Sequence, residues 1–162
     1  MTKTQDKKFF DLADEYQSHR QILTMWPRQW KKYRAPKNLR WRSLEFSDDA
    51  RSKVPRKPGV YAFSVKPSVA NLGISYLMYV GMTDRTLRER FAEYLRERSP
   101  NRGRPKLATL FHHYRGFIHF NYAYVKPPHT LKQVEEKLLA AFIPPANDRL
   151  PATISKVVRA FP

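Results

Sequence analysis

The residue in this chain that most needs a chemical explanation is a glutamate on an otherwise apolar helix face. Residues 130–142 read as a helix, opened by a Thr130–Gln133 capping-box pair and stopped by Pro144 and Pro145. A step of about 100° per residue puts Leu131, Val134, Leu138, Leu139 and Phe142 in one arc. Glu135 falls inside that arc, whereas Glu136 points well outside it as an ordinary solvated charge. An ionised carboxylate on a buried face is costly unless it is paired or holds a metal. Either an arginine partner or a cation would satisfy it.

Two apolar runs, residues 60–65 and 76–82, read as adjacent strands joined by a loop containing Pro67, Asn71 and Gly73. Each carries a tyrosine next to a glycine, in Gly59-Val60-Tyr61 and in Tyr79-Val80-Gly81. A basic amphipathic segment, residues 84–97, follows at once, with Leu87, Phe91, Tyr94 and Leu95 as its stripe and Glu89 and Glu93 opposite. Together with Glu135, Pro144 and Asn147, these features resemble the GIY-YIG nuclease superfamily over residues 58–148. Either tripeptide alone would be a weak signal, because such triplets are common in ordinary strands. The coincidence of separated elements makes the resemblance specific.

The resemblance implies roles. Glu135 is the expected metal ligand, with Pro144 and Asn147 following at the family's distances, and Arg90, three residues beyond Leu87, is the helix arginine. Tyr61 is the expected activator of water and Tyr79 a hydrogen-bonding partner in the site, although the division between the two stays open. With no cluster of carboxylates in the sequence, one Mg²⁺ or Mn²⁺ ion per site, held by Glu135 and waters, fits better than a two-metal centre. Arg90 would neutralise the phosphate through its fixed fork of donors. Asn147 would orient the site or touch the phosphate; its alternative is to cap the turn after the helix. A tyrosine with a pKa of ~10 is ionised in roughly one molecule per thousand at pH 7, a penalty of about 4 kcal/mol. The site is therefore expected to lower that pKa through Lys57, Arg90 or the metal, or to pass the proton on. The tyrosines' alternative is strand packing, with Gly59 and Gly81 marking strand ends or bulges. His112 and His113 cannot both face one site on a helix, and His119, on the third strand, is the better placed of the histidines.

The elements that must position these residues follow from pattern. Residues 7–22 read as a first helix with Phe9, Leu12, Ala13 and Tyr16 at helical spacing, and Pro27 ends any helix before it. Residues 106–115 read as a short helix and 117–125 as a third strand. The tail beyond residue 150 is expected to pack back through Ile154, Val157, Val158 and Phe161. The expected fold is α/β (α+β), a small three-stranded antiparallel sheet flanked by helices and GIY-YIG-like, with a helical, basic N-terminal extension. The division is 1–53 for that extension, 54–150 for the nuclease-like domain and 151–162 for the tail, with residues 52–58 as a short linker.

Composition names the partner. A formal charge of +17 on 162 residues repels itself in the compact state and points to a polyanion, with nucleic acid ahead of acidic membrane. No apolar run approaches the ~18 residues of a spanning helix, and the N-terminus contains no signal-like apolar core, so a cytoplasmic location without a membrane partner is expected. The absence of cysteine excludes disulfides, thiolate zinc sites and cysteine nucleophiles. In residues 28–57 basic side chains interleave with aromatic ones, as suits phosphates and unstacked bases; packing of the tryptophans onto the domain is the equal alternative. Lys31, Lys32, Arg40, Trp41, Lys57, Arg85 and Arg88 are the candidate nucleic-acid contacts. The expected activity is that of a divalent-metal-dependent endonuclease acting on duplex, branched or single-stranded DNA, as a homodimer where both strands must be cut. The alternatives are a nucleic-acid-binding module that keeps the fold without cleaving, and a basic packaging protein, which explains the charge but not Glu135.

Overall fold

Strand β2 (Gly59–Val65) is buried along its whole length, as its unbroken apolar sequence requires of a strand covered on both faces. It pairs antiparallel with β3 (Tyr76–Thr83) on one side and with β4 (Ile118–Tyr124) on the other. A fourth strand, β1 (Arg42–Glu45), pairs antiparallel with β4 and completes a sheet in the order β1-β4-β2-β3. The computed structural model describes residues 3–99, 103–126 and 128–161.

The sheet corrects the expectation of three strands. Arg42-Ser43-Leu44-Glu45 holds one apolar residue, so its sequence carries no alternation signal, and only the open edge of β4 draws it into the sheet. Leu39, Phe46 and Ala50, also from the stretch read as an extension, are buried. A 3-10 helix, Asp49–Lys53, runs into the stretch 52–58 read as a linker, and Val54 within that stretch is fully buried.

Helices cover both faces. On one face Tyr61, Phe63, Tyr79, Phe120 and Tyr122 pack with Phe91 and Tyr94 of α3 (Leu87–Arg96) and Phe111 of α4 (Pro105–His113). On the other, Val60, Ala62, Val80 and Ala123 meet Leu131, Val134 and Leu138 of α5 (Leu131–Phe142). Helix α3 starts with a complete capping box in which Thr86 and Glu89 satisfy each other's backbone amides. The box expected at Thr130 is not formed, because the chain enters α5 through a 3-10 turn, Pro128–Thr130, that already holds Thr130 in helical backbone geometry.

The peripheral helices differ from expectation in how they pack. Helix α2 (Pro27–Lys32) buries no residue, and α6 (Ala152–Ala160) buries Ile154 while Val157 and Phe161 stay exposed. Helix α1 (Lys3–His19) exposes Phe9, Phe10, Leu12 and Tyr16. Its end is tied to α4 by the Tyr114 hydroxyl, which donates to the His19 carbonyl at 2.9 Å, and by His19 stacked on His113 at 4.7 Å. Among the described residues no helix is long and apolar enough to cross a membrane.

Candidate functional site

The open edge of β3 organises the site. An edge strand turns the N–H and C=O groups of alternate residues outward, and these need partners. Here the chain at and after α5 supplies them. The Ala146 amide donates to the Met78 carbonyl at 2.9 Å. Asn147 accepts from the Val80 amide at 2.9 Å and donates to the Val80 carbonyl at 2.8 Å. The Met82 backbone faces the Glu135 carboxylate and favours its charged form. Residues 78, 80 and 82 are thus covered in turn by Ala146, Asn147 and Glu135. Asn147, expected to orient the site or cap its turn, has both amide atoms engaged on the backbone beside Tyr79.

Beside this edge lies a cleft of about 600 Å³ whose lining includes Tyr79, Arg104, Lys106, Glu135, Asn147 and Arg149. Glu135 is half-buried, and burial, reinforced by neighbouring Glu136, pushes its pKa above the usual carboxylate value despite the Met82 backbone and Lys132. Among the described residues it forms no ion pair with any arginine, lysine or histidine. Of the two ways to satisfy this carboxylate, the described structure thus leaves the arginine partner unfilled. A carboxylate has about four lone-pair sites, and one backbone contact leaves the rest open to a hard cation. No group of three or more acidic or histidine side chains gathers among the described residues. A cation here would therefore take Glu135 together with waters and substrate oxygens, as Mg²⁺ commonly does.

Behind the cleft wall the predicted catalytic pair sits in a buried tyrosine–arginine cluster. Tyr61, 1% exposed, shares a 3.0 Å hydrogen bond with the hydroxyl of Tyr94. Arg90 donates from Nε to Tyr61 at 3.0 Å, from Nη2 to Tyr94 at 3.2 Å and from Nη1 to Glu93 at 2.6 Å. Tyr79 joins by ring contacts at 6.5 Å to Tyr61 and 6.1 Å to Tyr94, and accepts from Arg104 Nη1 at 3.0 Å. The sequence expectation brings Tyr61, Tyr79 and Arg90 together, but Tyr61 and Arg90 do not line the cleft that holds Glu135. Tyr79 alone of the three does.

Among the protein's own groups, burial outweighs positive charge at the phenols. Burial pushes the Tyr61 phenol up to about 12, with Tyr79 adding to the rise and Arg90 only partly opposing it. Tyr79 and Tyr94 are likewise raised, chiefly by burial. From about 12, ionising Tyr61 at pH 7 costs about 7 kcal/mol. That exceeds the ~10²–10⁴ rate gain of a positioned base. The phenols are neutral hydrogen-bonding groups in this state. Gly81 explains its own place: a Cβ there would lie 2.6 Å from the Tyr61 phenol, so the glycine makes room for that ring.

The candidate nucleic-acid contacts divide. Arg88 is a buttress, donating to the carbonyls of Val54 and Ser52 at 2.6 Å each, and Arg85 pairs with Glu93 at 2.7 Å. Lys57 lies over the Tyr124 ring at 5.3 Å. Lys31 and Lys32 end α2 in solvent, while Arg40 donates to the Lys37 carbonyl. Trp41 is 40% exposed. None of His112, His113 and His119 lines the cleft. Sequence reasoning missed Arg104, which sits in a Pro- and Gly-containing loop with no periodicity to single it out. It also missed the Tyr94 hydroxyl, although Arg90 lies one helical turn before it.

No family model, no curated protein and no solved structure matches the chain.

Proposed function

We propose that this protein is a divalent-metal-dependent DNA endonuclease of GIY-YIG type, with its active site in the cleft beside β3. One observation carries the reading: a half-buried carboxylate, Glu135, forms no ion pair among the described residues and shares a cleft with Tyr79, Arg104, Lys106, Asp148 and Arg149. Arg104 pairs with Glu97 at 3.2 Å and Lys106 with Asp148 at 2.7 Å, whereas Arg149 forms no ion pair among the described residues, so the cleft offers a phosphodiester a cation site on one wall and a free guanidinium beside it. The pairing of Tyr61 with Gly81 across β2 and β3 supports the same reading, because the two tripeptides meet there at their ends on neighbouring strands.

Glu135 would hold Mg²⁺ or Mn²⁺, which when bound polarises a phosphoryl oxygen and stabilises the leaving group. Arg149 binds the phosphate, and Lys106, shared with Asp148, stands beside it. Tyr79, at the cleft wall with its hydroxyl fixed by Arg104, holds water as a neutral hydrogen-bonding group. Arg90 is a positioning residue in this arrangement, since it donates to Tyr61, Tyr94 and Glu93 and does not line the cleft. Asn147 fixes the β3 backbone on which Tyr79 is mounted.

The raised phenols and an Arg90 turned into the tyrosine cluster favour a second reading, a nucleic-acid-binding module that does not cut. One experiment separates the two: cleavage of matched single-stranded, duplex and branched DNA with Mg²⁺, Mn²⁺ or EDTA, with binding measured alongside, for wild type and Glu135→Gln. Metal-dependent cutting that disappears in the variant supports the nuclease and names its substrate. Folded wild type that binds DNA and never cuts makes it the binding module.

A further inference from the structure

We propose that a second pocket, on the other flank of α5 from the cleft, takes an unpaired nucleobase of the bound strand. The proposal rests on the nucleic-acid reading and names the form of substrate that the reading leaves open. Helix α5 contributes Glu135 and Leu139 to the cleft and Leu138 and Phe142 to this pocket, which has a volume of about 710 Å³. That lies within the range of sites that enclose small ligands and is roomy enough for a nucleotide.

Three aromatic side chains line it: Tyr33, Trp41 and Phe142. Tyr33 meets Phe142 edge-on at 5.8 Å, which fixes that pair as one surface. Phe142 belongs to the apolar arc of α5, yet it is 37% exposed, and Trp41 is 40% exposed. Flat apolar surface left open in this way suits the face of an unstacked base.

The strands supply the polar side. Asn121 donates from its amide nitrogen to the Ala62 carbonyl at 3.2 Å and to the Ser64 hydroxyl at 2.9 Å, so its orientation is set by the sheet. Its side-chain oxygen has no partner among the described residues, and that leaves an acceptor for the exocyclic amino group of a base. Among the described residues Lys66 is the only charged one lining the pocket, and its ammonium donates to the Ser43 hydroxyl at 2.8 Å. No carboxylate pairs with it among the described residues, so its charge stays available to the phosphate of the same nucleotide. Aromatic surface, a fixed acceptor and a cation match a nucleotide. An acidic or purely apolar partner would use only part of that set.

The test is fluorescence anisotropy in EDTA with two labelled single strands of equal length and phosphate count, a mixed-sequence 12-mer and its fully abasic counterpart. Wild type is expected to bind the base-bearing strand at least about fivefold more tightly, the scale of one stacked base. Trp41→Ala and Phe142→Ala change partly exposed side chains, and circular dichroism checks that each variant is folded. Both should bring the ratio toward one while leaving the abasic affinity in place, whereas Lys66→Ala should weaken both strands alike. Equal wild-type affinity for the two strands overturns the base pocket and leaves the nucleic-acid reading standing. The same follows if both aromatic variants keep the wild-type ratio. Absence of binding to either strand overturns the pocket and the nucleic-acid reading together.

Discussion

Replacing Asn147 with alanine should destabilise the fold before it does anything to chemistry. The side chain closes both hydrogen bonds of Val80, at 2.9 Å to its amide and 2.8 Å to its carbonyl, on the outer edge of β3. Val80 is 1% exposed, so truncation strands one donor and one acceptor in a dry position. A buried group left unsatisfied costs about 1–3 kcal/mol, and water entering from the neighbouring cleft holds each cost near the lower end. The sum is about 2 kcal/mol, or roughly 4–8 °C in Tm for a chain of this size. Asn147→Asp adds a test of mechanism. Its carboxylate cannot donate to the Val80 carbonyl, whereas the protonated acid can, so folding raises the carboxyl's pKa. The stability of this variant is therefore fullest at low pH and falls as pH rises through the folded-state pKa. Thermal and urea unfolding between pH 4 and pH 8 would show both effects. A Tm for Asn147→Ala within 1 °C of wild type, combined with loss of DNA cleavage or binding, would refute the clamp and return Asn147 to a direct role in the site.

Three further outcomes follow from the same geometry. Gly81→Ala drives a methyl into the Tyr61 phenol and should cost about 1–3 kcal/mol in urea unfolding; Tyr61→Ala, which empties that space, should absorb most of the penalty in the double variant. Spectrophotometric titration should show Tyr61, Tyr79 and Tyr94 silent through the usual tyrosine range near 10 and ionising only as the protein unfolds at higher pH; a phenolate signal from the cluster below pH 9 would restore a tyrosine base. Because burial raises the Glu135 pKa above its unfolded value, its contribution to stability is present at pH 4 and lost as pH rises through the folded pKa. Glu135→Gln should therefore melt higher than wild type at pH 7 and not at pH 4. Added Mg²⁺ or Mn²⁺ should stabilise wild type alone, and equal metal shifts in both proteins would remove Glu135 as the ligand.

The strands at 60–65 and 76–82 and the helix ending at Phe142 were legible because most of their positions follow one apolar pattern. Strand β1 was not, since four residues with one apolar side chain carry no period and become a strand only against the open edge of β4. The stripe of α1 made the helix legible but not its surroundings. Phe9, Leu12 and Tyr16 have the spacing of a packed face, but among the described residues the ties to the domain come from the His19 end.

The candidate site divides along the same line. Spacing along one helix was enough to single out Glu135, because a carboxylate within an apolar arc is a local contradiction. Sequence also set Tyr61 and Tyr79 on neighbouring strands and Arg90 on the following helix. Burial was decided by the tertiary structure. Packing of α3 and α4 on its face of the sheet closes Tyr61 away from solvent and raises its pKa, an effect of burial that the sequence alone did not reveal. Asn147 was legible as a residue of interest, and its task was not. The need of β3's outer edge for partners exists only once the sheet has formed, and it is that edge that claims Ala146, Asn147 and Glu135. Charge, periodicity and local contradiction are properties of a sequence, whereas desolvation and the pairing of an open strand edge belong to the folded whole.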